Sequence, residues 1–238
     1  MRGDGDDAGR PPARDQQPSR ESNPQSAIRN PQSSVAAILL AAGRSRRMGA
    51  FKPLLPFGAG TVAGACVESL RGAGVGEVVV VVGHRAGEVR AALAGTPGVR
   101  FALNEEAGSE MGVSVARGVE AVSGGAEAVI VALVDQPAVP PSAVETLIEA
   151  RRRTGARLII PEWEGRGGHP VLIDLCFRGE LLGLVAQSGL RALFDAHRAE
   201  VLRVPAGSPF VARDMDTWED YAALHREVFG KEPVDSSQ

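Results

Sequence analysis

Only two cysteines, Cys66 and Cys176, occur in the 238 residues. Both sit in apolar stretches without metal-ligand spacing, so they are expected as small core residues in a reduced, cytoplasmic setting. Long apolar runs are lacking too. None approaches the roughly 18 residues that span a membrane, so no membrane partner is expected. There is no excess of positive charge either. A net charge of −3 leaves no electrostatic footprint for a nucleic acid polymer. Two familiar phosphate loops are also missing. No Gly-x-x-x-x-Gly-Lys-Ser/Thr loop occurs. No Gly-x-Gly-x-x-Gly opens a helix with an acid after the next strand, which here ends in Gly83-His84-Arg85.

What the chain does have is an apolar run, Val35 to Leu40, breaking into Ala41-Ala42-Gly43-Arg44-Ser45-Arg46-Arg47-Met48-Gly49 and, three residues on, Lys52. The run has the length and β-branched content of a buried strand. Gly43 and Gly49 let the loop approach a ligand closely or take positive φ. Unpaired backbone N–H groups together with Arg47 and Lys52 would make a pocket for polyanions. At the carboxyl end of a first strand, where open α/β sheets bind ligands, this is a phosphate-binding loop. The competing reading is a solvated basic turn.

At 44% hydrophobic and 23% charged residues, the composition suits one α/β domain with a well-buried core. Residues 1–34 are of another kind, with five arginines, five acids and, alanines aside, only Met1 and Ile28 apolar. Such a segment cannot offset its ordering entropy and is expected to be a disordered tail. The folded domain is expected over 35–229, with 230–238 as a second tail. Within it, strands are expected at Glu77–Val82, Val99–Leu103, Ala126–Val134, Arg157–Pro161, His169–Ile173 and Val201–Pro205. Helices are expected at Thr61–Arg71, Gly87–Leu93, Gly112–Val122, Pro141–Arg153, Asp174–Leu184, Gly189–His197 and Thr217–Phe229. Glu162–Gly168 reads as a polar connection, and Arg151–Arg153 as a solvated helix end. The alternation predicts a three-layer α/β/α, Rossmann-like, mostly parallel sheet.

The loop resembles the signature Leu-Ala-Ala-Gly-x-Ser-x-Arg-Met-Gly-x-x-Lys of the MobA-like nucleotidyltransferases, met at Leu40, Ala41, Ala42, Gly43, Ser45, Arg47, Met48, Gly49 and Lys52. The resemblance implies a glycosyltransferase-A-like sheet and transfer of a nucleoside monophosphate with release of pyrophosphate. Charge then builds on phosphate oxygens, and a cation, Mg²⁺, held by one or two carboxylates would neutralise it. Asp135 follows the expected strand Ala126–Val134, apolar from Ala128 on, and precedes Gln136-Pro137, so it stands where a strand leaves the sheet. This stretch resembles the family's Leu-x-Asp-Met-Pro, with Gln136 for Met. Asp214-Met215-Asp216-Thr217 resembles the family's Asp-Ile-Asp-Thr. It offers Asp214 or Asp216 as the second metal ligand, with a slight preference for Asp214.

Further contacts are implied by the same resemblance. Asn104 and Ser114 match a loop near the nucleotide base, with Glu110 where the family has Gly. Gly168-His169-Pro170-Val171 resembles an element of cytidylyltransferase-like members, and Arg191 lies in a stretch similar to Gly-Ala-Arg; both would meet the acceptor. The expected enzyme thus uses Arg47, Lys52 and Asp135 for catalysis, with CTP as favoured donor. Its expected acceptor is a molybdopterin-type phosphate, and a molybdoenzyme is the implied downstream recipient. A molybdenum cofactor guanylyltransferase, a sugar- or alcohol-phosphate nucleotidyltransferase and a non-catalytic nucleotide-binding accessory domain are the alternatives.

Overall fold

A computed structural model describes residues 34–106, 111–184 and 189–233. The expected tail 1–34 lies, except for Ser34, outside the described residues. The first half comprises β1 (Val35–Ala41), β2 (Pro56–Phe57), β3 (Gly60–Thr61), α1 (Val62–Gly72), β4 (Glu77–Val82), α2 (Ala86–Ala92), β5 (Val99–Leu103) and α3 (Met111–Ala121). The second comprises β6 (Ala128–Leu133), α4 (Pro141–Thr154), β7 (Leu158–Trp163), β8 (Arg166–Gly167), β9 (Val171–Asp174), α5 (Arg178–Leu182), α6 (Gly189–Ala196), β10 (Val201–Pro205) and α7 (Trp218–Phe229).

The sheet runs β10-β7-β9-β6-β1-β4-β5, with β8 paired to β7. β1 lies in the middle, parallel to both β4 and β6. Alternate residues of a strand point to opposite faces, so β1 feeds two cores at once. Ala37 and Leu39 pack with Val67 and Leu70 of α1 and Leu147 of α4. Ile38 and Leu40 pack with Val115 and Val119 of α3 and Leu181 of α5. These are the three layers that the alternating pattern predicts. Gly118 lets α3 come close: a Cβ there would meet Ile38 Cγ2 at 2.4 Å. A third cluster joins Met48 and Leu55 of the loop region to Met215, Tyr221 and Leu224. The Tyr221 hydroxyl donates to the Pro56 carbonyl at 2.6 Å. Through these contacts α7 holds the loop.

The structure corrects several expectations. β9 is antiparallel to both β6 and β7. The chain between β7 and β9 folds into a hairpin with β8, too short for the crossover that a parallel strand requires. The stretch 162–168 is therefore partly strand rather than connection. The helix expected from Asp174 begins at Arg178, because Asp174 ends β9 and caps a 3₁₀ turn by accepting from Cys176 N at 2.8 Å. In that turn Phe177 is buried and Cys176 is exposed, so only Cys66 is a core thiol. Arg151 is likewise no solvated helix end: it pairs with Asp174 at 2.5 Å and ties α4 to β9. Of the expected second tail, Lys231 accepts from His225 through its carbonyl and Glu232 pairs with Arg226. No helix among the described residues is long and apolar enough to cross a membrane.

Candidate active site

The loop after β1 contains two left-handed residues, Ser45 at φ +52° and Gly49 at φ +72°. A serine in that region is uncommon and strained. Here its Oγ accepts from Lys52 N at 3.1 Å, and its carbonyl accepts from Met48 N at 3.2 Å. The turn thereby carries buried Lys52 back toward the carboxyl ends of β1 and β6. Gly43 keeps an ordinary φ and faces open space.

A cavity of about 810 Å³ opens at this edge, within the usual range for ligand sites. Of the residues expected to bind nucleotide or metal, Leu40, Ala42, Gly43, Ser45, Arg47, Lys52, Asn104, Ser114, Asp135 and Asp216 line it. Ala41 is fully buried behind it. At one end the Asn104 amide donates to Ser114 Oγ at 2.9 Å, and Asn104 Oδ1 accepts from Glu106 N at 3.1 Å. At the other end Lys52 Nζ lies 2.7 Å from Asp216 Oδ1 and 3.5 Å from Asp135 Oδ2. Arg47 Nη1 lies 2.6 Å from Asp216 Oδ2. Both Asp216 oxygens are thus paired with cations.

Asp214 is placed differently. It does not line the cavity; its Oδ1 accepts from Gln136 Nε2 at 2.8 Å. Among the described residues it has no cationic partner. Burial raises the Asp135 carboxyl above its ordinary value. The Lys52 charge opposes that rise, and repulsion from Asp214 and Asp216 adds to it. The hydrogen bond from Lys52 holds Asp216 below the usual carboxylate range. Asp135 Oδ1 is buried without a hydrogen-bond partner, an unmet acceptor in a site of negative charge. Among the described residues no three His, Cys, Asp or Glu side chains gather to hold a metal alone. Two carboxylates with one oxygen unmet do fit a hard cation that completes its shell with phosphate and water oxygens.

His169 lies outside the cavity; burial lowers its pKa, against the opposing charge of Asp214. Arg191 is also outside, on α6, with a side chain 92% exposed and paired to Asp195. Glu110 falls outside the described residues. His84 was not singled out by the sequence, yet it lines the cavity and meets the Phe51 ring edge-on at 5.4 Å. The signal is in the sequence: His84 stands two residues past the end of β4 at Val82, where ligands bind in such sheets.

A parallel-stranded core with a cationic loop facing acids at its carboxyl edge defines a nucleotide-handling transferase. Residues 37–201 match the MobA-like NTP transferase domain, and the chain belongs to that family. A probable molybdenum cofactor guanylyltransferase of Mycolicibacterium paratuberculosis is 30% identical over 199 residues, covering 80% of this chain and 94% of that protein. Nicotine blue oxidoreductase of Paenarthrobacter nicotinovorans is 30% identical over 199 residues, with 80% and 96% covered. The bifunctional protein GlmU of Geobacter metallireducens is 37% identical over 128 residues, but the match spans only 27% of that protein's length and 53% of this chain. Among solved structures, Rv0371c of Mycobacterium tuberculosis in complex with manganese matches with a TM-score of 0.66 and 29% identity, covering 82% of this chain and 98% of that one.

Proposed function

We propose that the protein transfers a nucleoside monophosphate from a nucleoside triphosphate to a phosphorylated acceptor of molybdopterin type. An acceptor phosphate oxygen attacks the α-phosphorus, a phosphoanhydride forms, the α–β bond breaks and pyrophosphate leaves. The acceptor is already ionised at neutral pH, so the protein needs no nucleophile of its own. Its work is positioning and electrostatic stabilisation. The observation that carries this reading is Lys52 set between Asp135 and Asp216 inside the cavity.

Lys52 and Arg47 hold the triphosphate, and Asp216 aims them. Asn104 and Ser114 stand at the end left for the nucleoside. Asp135 and Asp214 hold Mg²⁺. Asp214 is preferred to Asp216 because both Asp216 oxygens are already engaged by cations. When bound, the cation neutralises charge gathering on the α-phosphate and the departing pyrophosphate. The manganese in the related Rv0371c structure supports a divalent ion here.

CTP is the donor favoured by the resemblance around His169-Pro170-Val171. GTP is the second reading, supported by the name of the mycobacterial relative. Pyrophosphate release from CTP, GTP, ATP and UTP, each with molybdopterin or a sugar phosphate as acceptor and with Mg²⁺, tests both. Release with CTP and molybdopterin is expected. GTP-dependent release selects the second reading, and release only with a sugar phosphate overturns the acceptor.

A further inference from the structure

Gln136 directly follows Asp135 and is buried, yet the transfer reaction gives it nothing to do. Its amide nitrogen donates to Asp214 Oδ1 at 2.8 Å and to the Val211 carbonyl at 3.4 Å. Both partners are pure acceptors, so the amide can be oriented only one way. That orientation leaves Gln136 Oε1 buried with no hydrogen-bond partner among the described residues. An orphaned carbonyl is a cost that an apolar side chain of similar size would not carry. The arrangement is understandable if the nitrogen does something an apolar side chain could not.

Its bond to Asp214 supplies that reason. The segment bearing Asp214 is already fixed without Gln136. His169 N donates to the Val211 carbonyl at 2.8 Å, Met215 N donates to the Asp135 carbonyl at 2.9 Å, and Met215 is fully buried. Gln136 therefore adds little to the path of the main chain. It determines the rotation of one carboxylate, engaging Oδ1 while Oδ2 has no protein donor among the described residues. We infer that Gln136 is a positioning residue for the divalent cation, holding Asp214 so that its second oxygen serves the same ion as Asp135. The inference rests on the reading that Asp135 and Asp214 are the metal ligands. Partners that orient a ligand in this way are commonly worth 10–100-fold in metal affinity.

The test is titration of purified protein with Mn²⁺ alone, following free Mn²⁺ by electron paramagnetic resonance, with melting temperature measured in parallel. Gln136→Met should weaken Mn²⁺ binding by roughly 10–100-fold while the metal-free melting temperature stays near that of wild type. On an Asp214→Asn background the same change should add nothing, since residues acting through one another are not additive. If Gln136→Met folds poorly, Gln136→Asn, which keeps an amide one methylene short of Asp214, replaces it in both measurements. Wild-type affinity in the variant, or losses that add across the pair, would overturn the inference and leave the metal reading standing. Failure of the wild-type protein to bind Mn²⁺ would overturn both.

Discussion

The Lys52 ammonium lies 2.7 Å from Asp216 Oδ1, closing a separation of 164 residues along the chain. Asp216 also takes Arg47, so one carboxylate aims two cations that reach the cavity from the same loop. Lys52 is largely buried, which screens its pair less than the exposed Arg47 pair.

Asp216→Asn keeps the shape and removes the charge. Charge-assisted hydrogen bonds are worth about 1.5–3 kcal/mol, so KM for the triphosphate should rise roughly tenfold or more. Steady-state kinetics at saturating Mg²⁺ measure this, and an unchanged KM would detach Asp216 from Lys52 and Arg47.

Asp135→Asn should abolish turnover yet stabilise the fold at neutral pH. Burial raises the folded-state pKa of Asp135 above its unfolded value, so the native state binds the extra proton. Stability tied to that proton is complete below the unfolded pKa and is lost as pH climbs through the folded one. At pH 7 the wild-type protein carries the penalty and the asparagine variant does not. Melting curves from pH 4 to 7 should diverge toward neutral pH; a lower melting temperature for the variant at pH 7 would contradict this.

Gly168 is pressed against the segment that bears the acids. A Cβ there would meet the Val211 carbonyl oxygen at 1.8 Å, a backbone atom that cannot swing aside. Gly168→Ala should lower stability by about 1–3 kcal/mol, the usual range for overpacking, and reduce turnover by displacing Asp214. Urea unfolding alongside activity reads both effects, and a fully active, equally stable variant would show that the segment yields freely.

His197 joins two elements through its ring. Nε2 is 2.9 Å from Glu180 Oε2 on α5, and Nδ1 is 3.2 Å from Oε1 of Glu200, whose Oε2 pairs with Arg157. The hydrogen bond to Glu180, then that to Glu200, raises the imidazole pKa. The resulting stability is whole below about pH 6.5, the unperturbed value, and fades as pH rises through the raised one. His197→Gln should flatten the dependence of melting temperature on pH above that point. Parallel slopes for the two proteins would show that the clasp is silent.

The loop after β1 and Asp135 were legible because each motif is local: a buried run, then polar residues where the chain leaves the sheet. Pairing across the chain was not legible in the same way. Asp214 and Asp216 alternate in direction, and which of them meets Lys52 depends on how α7 docks. The β9 direction was hidden, because an apolar strand reads the same either way. Cys176 resembled a core residue from its neighbours Leu175 and Phe177, but a tight turn puts only one of the three fully inside. His169 stood at a strand start beside glycines and resembled a ligand contact, whereas the fold leaves it half-buried and outside the lining of the cavity.

The box that begins α7 has a consequence for how the protein is made. Asp220 accepts from the backbone of both Thr217 and Asp216, while Thr217 accepts in return from Asp220 N. The helix start and the acid that steers Lys52 are therefore one unit. A ribosome emits Lys52 of the cationic loop 164 residues before Asp216 of this unit. Nascent chains, or chains clipped before Trp218, would present two unsteered cations to passing nucleotides and perform no transfer until α7 docks.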